Sequence, residues 1–327
     1  MKCILATSSA DRKIVLCSTI GGLGPRVRHQ GRAILIQPLT IEGMRGDPMS
    51  GATVVTSETV SDAVSRMGLA GHAVMVHSSL SSFGWVESGA QTVIDGILGQ
   101  ECTIMVPTFS RAYELLPRQD ERIPRNGKEF EGGLELPPGS DPIYAPDSNV
   151  VNPSMGTIPA TVLAMSGRAR SVHARQSFTA VGPLADELTA GQTIEDVFAP
   201  IQNLGRMQGF VVLAGVGLTS MTALHFAEEM AGRRPFRRWA YGTDGSRKPF
   251  AIAGCSGGFD NLATVLSPIE RHTLVGRSLW RVFPAADALE RASEAIRAEQ
   301  SITHCDKEVC LDCEDAIAGG PVIVGTP

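Results

Sequence analysis

Apolar and polar positions change period several times along the chain, and each change marks an element. In SETVSDAVSRMGL, residues 57–69, Thr59, Val60, Val64 and Met67 recur at helical spacing, and Ser57 stands where a cap would. HAVMVHSSL runs four apolar residues into small polar ones, which predicts a buried strand. SGAQTVIDGILG reads as a second helix entered from a small-residue turn, and CTIMVPTFS as a second buried strand stopped by Pro107. This order of strand, loop, helix and strand is the signature of a parallel α/β layer. Further on, GTIPATVLAM and ADELTAG predict helices and GFVVLAGVG a third buried strand. MTALHFAEEMAG predicts the helix after that strand, and ALERASEAIRAEQ a helix in the tail. No internal repeat interrupts the series.

Two stretches lack this periodicity. Residues 1–55 carry the breaker-rich runs SSADRK, GGLGPRVRHQGR and GMRGDPMSG, with AILIQPL as their only strand candidate, and are expected to form a poorly ordered extension. Residues 111–154 are rich in Pro, Gly and charge, and a loop of that length inside a domain is usually functional or disordered. The expected division is an extension at 1–55 and one catalytic domain at 56–327.

Composition narrows the classes. With 327 residues, 43% apolar and 19% charged, the chain can bury a substantial core. No apolar run approaches the roughly 18–20 residues that span a bilayer, and the start has no continuous apolar stretch of the secretory kind. A formal charge of −5 gives no basic footprint for nucleic acid. Seven cysteines, an odd number spread through a large chain, argue against a disulfide framework and for a reducing, cytoplasmic compartment. The expected partners are therefore small molecules, without nucleic acid or membrane, for a monomer or homodimer.

The chemistry concentrates in LTSMTALHFAEEM, residues 218–230. A strand entering a Gly-containing turn and then a helix places that turn at the carboxyl end of a sheet, where α/β proteins bind ligands. His225 and Glu228, three apart, share a helix face. A carboxylate raises imidazole basicity and fixes its tautomer, as a general base requires. Zinc ligation and a hydrogen-bonded core histidine are the competing readings, and no second histidine falls at helical spacing to complete a metal site.

Six collinear segments carry a resemblance: VMVHSSLSSFGWVESGAQTVIDGIL, TIMVPTFS, MGTIPATV, RARSVHARQSFTAVGPLA, VLAGVGLTSMTALHFAEE and CDKEVCLDC. Over residues 57–316 the chain resembles the aminoglycoside 3-N-acetyltransferases, the antibiotic N-acetyltransferase family whose fold differs from that of the GNAT enzymes. The resemblance implies an α/β fold with a central largely parallel sheet flanked by helices. It also implies acetyl transfer from acetyl-CoA to the 3-amino group of a 2-deoxystreptamine ring, without an acyl-enzyme. In that reading His225 is the general base, Glu228 its helper, and Thr222 begins the motif. Arg170, Ser171 and His173 of the R-S-x-H segment are expected near the coenzyme. His77, Ser78, Ser79, Ser81 and Ser82 are expected at its pantetheine arm and pyrophosphate, with Thr108 and Phe109 lining the same cleft. A metal-dependent hydrolase using His225, Glu228 and His173 is the alternative, as is acetyl transfer to another amine.

The chain departs from the family in places. Met221 stands where some members carry asparagine, and Ala174 where proline usually follows the R-S-x-H histidine. The segment FAIAGCSGGFD has no acid before Asp260. Residues 111–147 nevertheless hold eight acids (Glu114, Asp120, Glu121, Glu129, Glu131, Glu135, Asp141 and Asp147) against five bases, which suits a polycationic sugar. Glu114 and Asp147 are the expected substrate carboxylates. Finally, HCDKEVCLDC spaces Cys305, Cys310 and Cys313 as C-x4-C-x2-C, and Cys255 could add a fourth thiolate. A structural zinc, reduced unligated thiols and a redox pair are the readings open for them.

Overall fold

In the computed structural model the described residues are Lys2–Ser8, Arg12–Ser18, 54–128 and 143–323. The chain divides into two units, Met1–Ser50 and Gly51–Pro327. In the first, β1 (Lys2–Ser8) pairs antiparallel with β2 (Arg12–Ser18), in register from Lys2↔Ser18 to Ser8↔Arg12. This hairpin corrects the reading of that region as strandless outside AILIQPL, which itself lies outside the described residues. The apolar-rich runs KCILATS and RKIVLCS stand three residues apart in the sequence, a hairpin signal that the breaker count hid.

The second unit is built on a seven-stranded sheet. Its strands in chain order are β3 (Ala73–Ser78), β4 (Thr103–Pro107), β5 (Ala169–Arg170), β6 (Phe178–Val181), β7 (Phe210–Ala214), β10 (Arg271–Val275) and β11 (Ser278–Pro284). The spatial order is β10-β11-β7-β3-β4-β6-β5. The central trio β7-β3-β4 is parallel, as the buried apolar runs predict. The four outer pairings are antiparallel, so the sheet is mixed around a parallel core.

Period-two alternation divides each central strand between two cores. Val74, Val76, Ile104, Val106, Val212 and Ala214 face one side with α1 (Ser57–Arg66), α2 (Ala90–Leu98) and α3 (Thr157–Ala164). Met75, Met105, Val211 and Leu213 face the other with α4 (Ala185–Thr189), α5 (Ala199–Arg206), α6 (Ala223–Met230) and α8 (Ala285–Ala298). Two helical layers thus sandwich the sheet. Thr56, not Ser57, caps α1, in a reciprocal capping box with Thr59. Thr59 therefore belongs to the cap, and Ala63 joins Val60, Val64 and Met67 in the buried stripe.

Two further pieces lie outside the sandwich. β8 (Phe236–Tyr241) and β9 (Arg247–Ile252) form a separate hairpin, and β8 also bridges Leu115 through Trp239. The short helix α9 (Leu311–Ile317) closes the described chain. α7 (Ala263–Leu266) lies between the hairpin and β10.

Because β3 and β7 are parallel, with Ser78 paired to Ala214, the serine turn after β3 and the turn into α6 emerge at the same sheet end. Gly215 makes that juncture fit. Its φ is +71°, and a Cβ there would sit 1.9 Å from Ser82 Oγ.

Candidate active site

α6 begins beyond Gly215 and a short 3₁₀ turn at Leu218–Ser220. Asp260 accepts the Leu218 amide at 3.1 Å, and Met221 is buried, so the helix start is seated by apolar packing. Thr222 stands at the N-cap without a side-chain cap bond. One turn on, His225 packs its ring against Phe259, with centroids 4.7 Å apart.

His225 Nδ1 lies 2.8 Å from Glu228 Oε2. An ionised carboxylate only accepts, so Nδ1 carries the proton and Nε2 keeps its lone pair. The other oxygen, Oε1, accepts from Arg233 Nη1 at 2.5 Å and from Thr303 Oγ1 at 3.1 Å. Arg233 Nη1 also donates to Thr303 at 2.7 Å. All four residues are buried. Glu228 is thus clamped between the imidazole and a cation, which fixes the ring. Arg233 follows the helix by a short turn, and Thr303 is 75 positions away from Glu228, so neither shows in the helical periodicity.

A cleft opens here, lined by His225, Glu228, Glu229, Phe198, Phe236 and Cys255 among others. Glu229 sits in this wall with Oε2 unpartnered. Burial, then the charge of Asp196, pushes its carboxyl up to about 7, with Arg237 opposing. Glu229 thus places an acid in the same cleft wall as the imidazole. Its signal was the doubled glutamate of HFAEEM.

The expected coenzyme residues fall into two other groups. Ser79 and Ser81 hydroxyls pair at 3.0 Å, and Ser82 Oγ donates to Ser79 O and pairs with Ser278 Oγ, while Ser78 ends β3. His77 is buried, and its ring is held near pKa 4 by desolvation. Thr108, Arg170 and Ser171 form a buried network centred on strand β6. Arg170 donates to Ser177 Oγ and to the carbonyls of Thr108, Ser148 and Val150. Thr108 Oγ1 meets Ser177 and Thr179, and Ser171 Oγ accepts the Phe178 amide. Phe109 packs edge-on against Phe178.

His173 is fully buried, and its Nδ1 accepts the amides of Arg175 and Gln176. Burial holds its pKa near 3, so it is neutral. It braces a turn whose Gln176 Oε1 receives the Ala253 amide at the cleft wall. Glu114 is engaged by Arg175 at 2.6 Å, and Asp147 is exposed, its carbonyl accepting from Arg168. Glu129, Glu131, Glu135 and Asp141 lie outside the described residues. Among the described residues, the one group of three or more metal-capable side chains is Cys255, Cys305, Cys310 and Cys313. His225, Glu228 and His173 do not form such a group, which removes the geometric basis of a metallohydrolase.

The fold is a mixed α/β sandwich with an imidazole oriented by a carboxylate at the end of its parallel strands. The family model for aminoglycoside 3-N-acetyltransferases matches residues 75–297, and the chain belongs to that family. It is 27% identical to aminoglycoside N(3)-acetyltransferase III of Salmonella sp over 261 residues, covering 71% of this chain and 88% of that one. It is 32% identical to aminoglycoside N(3)-acetyltransferase IX of Micromonospora chalcea over 197 residues, covering 57% and 66%. Among solved structures, the aminoglycoside acetyltransferase AAC(3)-Xa superposes with a TM-score of 0.60 at 25% identity, over 75% of this chain and 93% of that one. AAC-IIIb, solved in binary complex with CoASH, gives 0.61 at 21% identity, over 75% and 97%, and supports the fold. Membership makes the chain an acyltransferase of the aminoglycoside N(3)-acetyltransferase type.

Proposed function

We propose that the protein transfers the acetyl group of acetyl-CoA to the 3-amino group of a 2-deoxystreptamine aminoglycoside, with His225 as general base and no acyl-enzyme, and so confers resistance. The observation that carries this reading is the 2.8 Å contact of His225 with a carboxylate fixed on its far side, facing a cleft. The names of the sequence relatives and the CoASH complex of AAC-IIIb support the substrate pair.

An aminoglycoside amine is an ammonium near neutral pH and cannot attack until it loses a proton. That proton leaves to solvent, and His225 Nε2 accepts a second proton from the neutral amine as the nitrogen forms its bond to the thioester carbonyl carbon. The carbon–sulfur bond breaks, and the proton passes from the imidazolium to the departing thiolate of coenzyme A. Glu228 stabilises the imidazolium formed in between. A positioned base supplies about 10²–10⁴-fold for such a step, and holding the two substrates together supplies the larger part. Glu229 adds negative charge to the wall that meets the polycation.

Among the described residues, no helix is long and apolar enough to cross a membrane. Free cysteines and use of acetyl-CoA together favour action in the cytoplasm. The test is incubation with acetyl-CoA and a panel of 2-deoxystreptamine aminoglycosides, with the acetylated nitrogen located by NMR. Acetylation at the 3-amino group is the expected result. Turnover of unrelated amines alone would replace the substrate assignment, and absence of any transfer would overturn the reading.

A further inference from the structure

We propose that Cys255, Cys305, Cys310 and Cys313 bind one zinc ion as a closed four-thiolate site, and that this knot fixes Thr303 against the carboxylate of Glu228. The first part stands on the thiols alone. The second rests on His225 and Glu228 being the catalytic pair.

The four Sγ atoms all lie within 4.8 Å of one another. Zinc–sulfur bonds of about 2.3 Å in a tetrahedron put sulfurs about 3.8 Å apart, so the longest edge contracts by at most about 1 Å to take the ion. The thiols come from three separate places: the loop after β9, the stretch after α8, and the entry of α9. Cysteines serving as small hydrophobes would pack among aliphatic side chains, but these form a cluster of their own, apart from the apolar cores. Four soft thiolates, three buried and Cys255 half-buried, with no open position suit a structural zinc.

The backbone is arranged for sulfur anions. The Gly257 amide donates to Cys255 Sγ at 3.4 Å, and the Lys307 amide donates to Cys305. Each amide lies two residues beyond its cysteine, so one local turn is used twice, and such outer donors orient thiolate ligands. The glycines of CSGG are required by the approach of the other segment. A Cβ on Gly257 would come within 2.8 Å of Cys305 Cβ. One on Gly258 would overlap the carbonyl oxygens of Thr303 and His304.

That same packing reaches the active site. Thr303 lies two residues before Cys305, and Asn261 holds its neighbours through the carbonyls of Ile302 and His304. Its hydroxyl donates to Glu228 Oε1, whose partner oxygen holds His225. Cys255 and Cys313 line the His225 cleft directly. α9 also tethers the cleft edge, since Asp315 accepts the Gly127 amide at 2.8 Å and Asp312 that of Lys128 at 3.2 Å. The ion therefore takes no part in the chemistry yet sets the geometry of the base.

The experiment begins with the full chain purified without chelator. Elemental analysis should find one zinc per chain, and cobalt exchange should give the intense visible bands of a tetrahedral four-thiolate site. Zinc absent after growth in zinc-replete medium, iron in its place, or the weak spectrum of octahedral cobalt would overturn the site. The Cys310→Ser variant should lose stoichiometric zinc, and retention would also overturn it. For the coupling, Thr303→Val should keep its zinc and lose about tenfold in kcat, the size of one hydrogen bond to a charged group. It should also shift the acid limb of kcat/KM and the NMR titration of His225, and Thr303→Ser should restore both. An unshifted His225 titration in Thr303→Val would overturn the coupling. If the wild type acetylates nothing, the zinc content and the titration are still readable, so failure of the acetyltransfer reading is told apart from failure of this one.

Discussion

His225 Nδ1 and Glu228 Oε2 are 2.8 Å apart on one face of α6, and Arg233 holds the other oxygen of the same carboxylate. This triple contact decides the character of the site. The imidazole is oriented from behind, its Nε2 is left as the acceptor, and the carboxylate is balanced by a cation. Replacing Glu228 by alanine leaves Arg233 buried without its counter-charge. Such a loss costs about 3–5 kcal/mol of stability, to be read from urea unfolding. Glu228→Gln keeps the shape, and should lower kcat at least tenfold while shifting the midpoint far less.

Glu229 gives the cleft a pH dependence of its own. Its folded pKa of about 7 lies above the ordinary 4.5, so the folded chain binds the extra proton. That contribution to stability is complete below about 4.5 and is lost as pH rises through 7. A cationic substrate prefers the ionised carboxylate, so KM should fall as pH rises from about 6 to 8. Glu229→Gln should flatten this limb relative to the wild type, measured on the same aminoglycoside.

Acid should act in the opposite sense through two buried histidines. His173 and His77 are held near pKa 3 and 4 by desolvation, below their ordinary 6.5. The unfolded chain therefore binds more protons over that interval. Their contribution is complete above 6.5 and is lost as pH falls toward 4, by about 1.4 kcal/mol per pH unit for each ring. Neither ring should titrate between pH 5 and 8 by NMR. A His173→Gln variant should show a smaller loss of stability between pH 6.5 and 5 than the wild type.

Gly215 should tolerate no side chain. Gly215→Ala meets both a left-handed backbone and the hydroxyl of Ser82, and should cost about 2–4 kcal/mol by thermal unfolding. Adding Ser82→Gly should recover the clash but not the backbone strain. Full recovery would show that the positive φ costs little here.

The legible parts of the fold are those whose burial imposes a period. HAVMVHSSL, CTIMVPTFS and GFVVLAGVG are buried on both faces and became the parallel core. The outer strands were not foreseen because their sequences mix signals: SLWRVFP alternates with charge, and RHTLV is an edge strand with little to bury. At the site, His225 and Glu228 were legible because they share a helix face. Thr303 and Arg233 were not, since their contact with Glu228 depends on how the tail folds back. Arg170 shows the limit of motif reading. The motif sets it near the coenzyme, and its guanidinium binds the carbonyls of Thr108, Ser148 and Val150 and stacks on Tyr144, contacts the motif does not announce. The convergence of Cys255 with the terminal cysteines was foreseen only as one option, because spacing cannot bring a residue 50 positions away to the cluster.

The most direct measurement is the paired determination of kcat and acetyl-CoA affinity for His225→Ala. The account predicts a loss of about 10²–10⁴-fold in kcat, with the coenzyme Kd within about twofold of the wild type, because the imidazole moves a proton and does not hold the coenzyme. A variant that turns over aminoglycoside at the wild-type rate would contradict it.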